Sequence, residues 1–229
     1  MPDPEILAQQ QLEMAAQVAV CPDGQGYAPQ PQDLWFTFDV QYDHASAYAA
    51  VDVQTAAGQP LGVWVKGYAT AADYLPGFFA FREGPVLQQA LADVCLHTGW
   101  VPQLLVVDGH GRAHPRKFGV ACWLGVTTQI PSLGCAKETL VMYSGSLGGQ
   151  RGDQVPIEVE GETVGLALRT RAATKPLFVS PGHGICLGQS RAIVLQLATD
   201  YRQIEPVRRA DQAARAFAKG LAGPYTRME

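Results

Sequence analysis

The segment 101–107 restricts the possible folds more than any other part of this chain. It carries Val101, Leu104, Leu105, Val106 and Val107 with little polar alternation, and it stops at Asp108. Such a run reads as a short strand covered on both faces, the kind found in parallel sheets. Upstream, segments 34–42, 47–53 and 61–68 are rich in aromatic and β-branched residues, and Ala57-Gly58-Gln59-Pro60 separates the last two. They predict an antiparallel meander with Asp39 inside its first strand. Pro85 suits the first turn of a helix whose apolar face continues through Val86, Leu87, Ala90, Leu91, Val94 and Cys95. Glu83 then falls at or just before a helix amino terminus, where the dipole favours the charged carboxylate. Meander, helix, buried strand and later α/β units together predict an α/β fold, a mixed sheet with helices on its faces.

The remaining chain supplies shorter signals. A helix is expected over 5–20 and an irregular Pro/Gly-rich connection over 21–33. Helical spacing recurs over 118–126, 188–199 and from Pro206 onward, and strand-like runs cover 129–134, 157–159, 164–169 and 177–180. Residues 144–156 read as an exposed loop. A chain of 229 residues is most economically one domain, 1–229, with a short N-terminal helical extension and linker at 1–33.

Composition narrows the class of protein. A net charge of -4 gives no encouragement to a nucleic-acid reading and does not forbid one, because the distribution of charge sets the local field. The cysteines at 21, 95, 122, 135 and 186 are odd in number and not closely paired. That pattern predicts reduced thiols in a cytoplasmic protein rather than a disulfide scaffold or a thiolate zinc site. Neither a signal peptide nor a membrane-spanning run is expected, and no obligate protein partner.

Several residues stand out as chemistry. Asp39, Glu83 and Asp108 come from different elements that a compact α/β fold can bring together, although each alone also suits a cap, a turn or a first helical turn. Gly109-His110-Gly111 permits close backbone approach to a ligand, or simply a tight turn. Arg112, Arg116 and Lys117 form a local basic cluster, and Arg208 and Arg209 add another, able to position a phosphate backbone. His114 and His183 are too dispersed to suggest a compact zinc site, so His114 is read as packing against or orienting the active-site loop and His183 as organising the turn 181–184, both in the supporting layer. Ser180, Cys135 and Cys186 lack a motif joining them to a base.

These blocks, in their order, resemble the endonuclease V family, the deoxyinosine 3′ endonucleases. The resemblance rests on Tyr74-Leu75-Pro76-Gly77, Phe81-Arg82-Glu83-Gly84-Pro85, Val107-Asp108-Gly109-His110-Gly111, His114-Pro115-Arg116 and Phe178-Val179-Ser180-Pro181-Gly182-His183. It runs from the strand around Asp39 to Asp211. It implies an RNase H-like fold and Mg²⁺-dependent hydrolysis of the second phosphodiester bond 3′ to deoxyinosine in DNA, leaving a 3′-hydroxyl and a 5′-phosphate. Mn²⁺ is the expected substitute ion. Some relatives act on inosine in RNA, so an inosine-directed ribonuclease and a noncatalytic inosine binder stay open as alternatives.

Residue by residue, the resemblance implies that Asp39, Asp108, Glu83 and Asp211 hold metal. Lys137 corresponds to an active-site lysine, and Tyr74 with Leu75, Pro76 and Gly77 to a wedge that enters the duplex. Gly109, His110 and Gly111, with His114 nearby, fall where the displaced base is surrounded, and His183 is expected in the supporting layer. Three positions depart from the pattern. Gln41 replaces a common Ser, Thr37-Phe38 replaces a usual Gly-Val pair, and Trp123 stands where relatives often have His.

Overall fold

The computed structural model describes residues 3–43, 46–69 and 75–228. The first element, α1 (Pro4–Ala15), is capped by Asp3, whose carboxylate accepts a hydrogen bond from the Glu5 amide at 2.9 Å. It ends earlier than its apolar spacing predicts. Beyond it the backbone is drawn into other pairings: the Ala19 amide donates to His183 Nδ1, the Ala19 carbonyl accepts from Gly184, and Val20 bridges Ile185.

The meander is present as β1 (Leu34–Asp43), β2 (Ser46–Thr55) and β3 (Pro60–Ala69), all antiparallel. Next comes α2 (Phe79–Thr98), closed by Gly99 in a left-handed conformation. This helix starts six residues before Pro85, so Glu83 lies within it rather than ahead of it. Pro85 lacks the N–H that a helix interior needs. The helix nevertheless runs through it because Ala80, Glu83, Gly84, Leu87, Ala90 and Val94 form one continuous buried stripe. At Gly84 a side chain would collide with the Trp123 ring, so hydrogen alone lets α2 settle there.

The buried run forms β4 (Leu104–Val107), parallel to β1 with Phe38 opposite Val107. Then come α3 (Val120–Thr128), β5 (Ser132–Ala136), β6 (Gln154–Val159), β7 (Glu162–Leu168), β8 (Leu177–His183), α4 (Leu187–Leu197), α5 (Glu205–Ala218) and β9 (Thr226–Arg227). The sheet order is β6-β7-β8-β5-β4-β1-β2-β3-β9. Parallel pairs β1·β4, β4·β5 and β3·β9 sit beside antiparallel ones, giving the mixed sheet expected.

Apolar layers close both faces. Phe36, Phe38 and Val51 pack with Val86, Leu87, Phe118 and Leu124 beneath α2 and α3. On the other face Trp35, Leu104 and Val106 meet Ile193 and Val207 from α4 and α5. Side chains alternate across a strand, so Trp35, Thr37, Asp39 and Gln41 all point toward the α5 side. Asp39 and Asp108 therefore emerge together where β4 stops and β1 runs on, with the Asp108 amide donating to the Phe38 carbonyl at 3.1 Å.

Candidate active site

Three acids converge from three elements. Asp39 (6% exposed) projects from β1, Glu83 (5%) from the second turn of α2, and Asp108 follows β4. Burial pushes the Asp39 carboxyl up to about 8, helped by the charge of neighbouring Asp108. A Gln41 hydrogen bond opposes the rise. Glu83 is raised well above the ordinary carboxylate range by burial, then by Asp39 and Asp108, with only Arg82 relieving it. This reverses the expectation from the helix dipole, because Glu83 is buried in the second turn of α2 and loss of water outweighs the dipole. Glu83 Oε2 has no hydrogen-bond partner among the described residues.

Asp211, on α5, reaches the group through an intermediary. Gln41 Nε2 donates to Asp39 Oδ2 and to Asp211 Oδ1, each at 3.0 Å. Arg215, one turn further along α5, donates from Nε to the same Asp211 oxygen at 2.9 Å. Just beyond β5, Lys137 Nζ lies 2.6 Å from Asp108 Oδ2, while Gln203 Nε2 donates to Asp108 Oδ1 at 3.2 Å. Burial disfavours the lysine charge, but Asp108, Asp39 and Asp211 outweigh it and raise its pKa.

The donor set suits a hard divalent cation. It offers carboxylate oxygens only, and an acid held protonated beside an unpartnered carboxylate oxygen marks a local shortage of positive charge. Among the described residues no three acidic, imidazole or thiol groups are placed so that they could hold a metal ion together as they stand. Mg²⁺ keeps several waters and touches only one or two protein carboxylates, so a pair such as Asp39 and Asp108 is the smallest set that would serve it.

A cavity of about 330 Å³ adjoins these acids and shares Asp108 and Lys137 with them. Gly77, Gly109, His110 and His114 also line it, so it gathers most of the residues read as surrounding a displaced base. The glycines of the turn have a structural cause as well. A side chain at Gly109 would strike Val120, and one at Gly111 would strike the Pro181 carbonyl. The Gly111 amide donates to Ser180 Oγ at 2.9 Å, which ties the turn to β8. Burial lowers the imidazoles of His110 and His114 to about 4, with Arg116 adding to the shift at His114. Both are therefore neutral at neutral pH, and His110 Nδ1 is buried without a partner among the described residues.

The Leu75–Pro76–Gly77 turn is fastened at the cavity mouth. Gly77 has φ +81°, and its carbonyl accepts from Arg116 Nη2 at 2.7 Å. Arg116 also lies 4.4 Å over the Phe78 ring and donates from Nε to Gln11 of α1. Tyr74 lies outside the described residues. His183 is a correction: it pairs with Ser132 at the start of β5, the end opposite Lys137, and there accepts the Ala19 amide. It anchors the N-terminal segment and does not support the acids.

Gln41, Gln203 and Arg215 were not singled out for roles by sequence reasoning. Gln41 had a signal, since two residues from Asp39 on a strand means the same face. Arg215 had one too, four residues from Asp211 on a helix. Gln203 sits in the connection before α5 and offers no pattern.

Comparison with known proteins identifies the family. The family described as Endonuclease V matches residues 13–212. The endonuclease V of Nocardia farcinica is 43% identical over 188 residues, covering 81% of each chain. The crystal structure of endonuclease V from Streptomyces avermitilis superposes with a TM-score of 0.83 at 34% identity, over 95% of this chain and 94% of that one. At 24% identity and a TM-score of 0.83, Ciona intestinalis endonuclease V shares the fold over 95% of this chain and 99% of its own; it was solved with a 24mer DNA containing an inosine followed by a ribo-adenosine. The sheet and these matches agree: this chain has the RNase H-like fold and belongs to the endonuclease V family.

Proposed function

We propose that this nuclease is a Mg²⁺-dependent DNA repair enzyme that recognises deoxyinosine and hydrolyses the second phosphodiester bond on its 3′ side. The observation that carries this reading is the meeting of Asp39, Glu83 and Asp108, one of them with an unpartnered oxygen, beside a cavity that shares Asp108 and Lys137.

Asp39, Glu83 and Asp108 would hold the cation, with Mn²⁺ able to replace Mg²⁺. When bound, the ion polarises a phosphoryl oxygen and stabilises charge as water attacks phosphorus. The P–O3′ bond breaks, so the products are a 3′-hydroxyl and a 5′-phosphate. Lys137, whose ammonium lies at Asp108, would face the phosphate and offset the charge gathering there. The cavity receives the displaced purine. Gly109 and His110 line it with backbone and with a neutral ring rather than with a formal charge, which suits the uncharged edge of hypoxanthine. Tyr74 is assigned the wedge, and Gly77, pinned by Arg116, limits how far the base of that loop moves. Arg208, 3.3 Å over the Tyr201 ring in a groove shared with Lys137 and Asp211, belongs to the backbone-positioning set. We place the protein in the cytoplasm, where its five free cysteines stay reduced.

The test uses matched DNA and RNA strands with and without a single inosine, in Mg²⁺ and in chelator, with binding and product position measured together. The reading expects one metal-dependent cut, two bonds 3′ to inosine in DNA. Equal cutting of all strands overturns lesion recognition. Preferred cutting of RNA makes the protein a ribonuclease, and binding without cutting makes it a noncatalytic binder.

A further inference from the structure

Gln41 occupies an unusual place between two acids. A side-chain amide carries two hydrogens on nitrogen, and here each is directed to a different carboxylate, Asp39 Oδ2 and Asp211 Oδ1. Arg215 supplies a second donor to Asp211 Oδ1. Asp211 is thus linked to Asp39 through an amide, whereas Asp39 lies close enough to Asp108 and Glu83 for their charges to act on one another directly. The unpartnered oxygen, Glu83 Oε2, lies on the inner side of this division.

We propose that Gln41, assisted by Arg215, is a positioning residue that holds Asp211 back from the divalent cation. The ion is then held by Asp39, Glu83 and Asp108, and Asp211 influences it only through the Gln41 amide. The inference rests on the reading that the inner acids bind metal, and adds that the fourth acid is not a direct ligand while the clamp is closed. Releasing the clamp frees an anionic oxygen to join the ion.

Mn²⁺ titration of the full-length protein by calorimetry, without nucleic acid, tests this as a double-mutant cycle. With Gln41 in place, Asp211→Asn should change the Mn²⁺ dissociation constant by less than about twofold. In the Gln41→Ser background the same change should weaken binding about tenfold, the scale on which a ligand or its close support acts. Arg215→Ala opens the clamp from the exposed side without touching β1, so it should produce the same coupling to a smaller extent. A tenfold loss from Asp211→Asn with Gln41 present overturns the proposal, because Asp211 is then already a ligand. So does an effect below about twofold in every background, because the clamp then restrains nothing. Asp39→Asn separates this from the underlying reading: unchanged Mn²⁺ binding in that variant refutes the metal site itself, whatever the cycle gives.

Discussion

Two buried acids on neighbouring strands, Asp52 and Asp39, face the same helix and are treated in opposite ways. α5 gives Asp52 a cation: Arg209 grips it with two hydrogen bonds of 2.6 and 2.7 Å and also reaches Gln54. Two residues further on, the same helix turns an anion, Asp211, toward Asp39. Burial pushes Asp52 up only to about 6, because the Arg209 hydrogen bonds and charge oppose it. Asp39 rises to about 8, since its neighbours are mostly acids. A carboxylate that serves the fold is supplied with a permanent counter-charge. Asp39 has no such partner among the described residues, which is the arrangement our proposal that it holds an ion requires.

The largest expected effect separates the two sites by activity. Asp39→Ala or Asp108→Ala should lower Mg²⁺-dependent cleavage by at least about a hundredfold, while Asp52→Asn changes it only a few-fold. Cleavage assays on purified, folded variants check this, and full activity without Asp39 would break the comparison.

Stability should separate them next. Arg209→Ala strands a buried carboxylate and should cost about 2–4 kcal/mol in urea unfolding near neutral pH. Arg209 is what holds Asp52 down to about 6, so without it the buried carboxyl keeps its proton to a still higher pH and the stranded charge disappears in acid. The cost of Arg209→Ala should therefore shrink as pH falls toward 5; a cost independent of pH would show that packing, not charge, is lost.

The smallest effect runs the other way. In chelator, Asp39→Asn should stabilise the protein by about 1 kcal/mol, the kind of gain seen when a site strained for function is relieved. The sign follows from linkage. An acid raised in the folded state contributes stability that is full below its unfolded pKa and is lost as pH rises toward about 8. Asparagine does not titrate, so its advantage should grow between pH 5 and 8 when melting temperature is followed. A variant that melts lower across that range would mean the acid is structurally paired, as Asp52 is.

Much of this contrast was legible in the residues. The apolar run before Asp108 and the meander around Asp39 place one acid just past the end of a strand and the other within one, because burial on two faces and alternation leave different signatures. Glu83 was found, but its surroundings were misread. Pro85 marks a first helical turn by local rules, and only the packing of Ala80 and Gly84 against the rest of the protein extends α2 past it. His183 was misplaced because the register of β8 on β5 joins residues far apart in sequence. The two-residue β9 is too short to carry any periodicity. Gln41 was visible as an oddity two residues from Asp39, yet its meaning depends on α5, which folds back from the other end of the chain.

The central claim, that acids from β1, α2 and the end of β4 together hold a divalent ion, is tested most directly by anomalous diffraction from crystals soaked in Mn²⁺. The account predicts a strong peak at coordination distance from the Asp39 and Asp108 carboxylates, on the side of Glu83. A peak elsewhere, or none at Mn²⁺ concentrations that support cleavage, would contradict it.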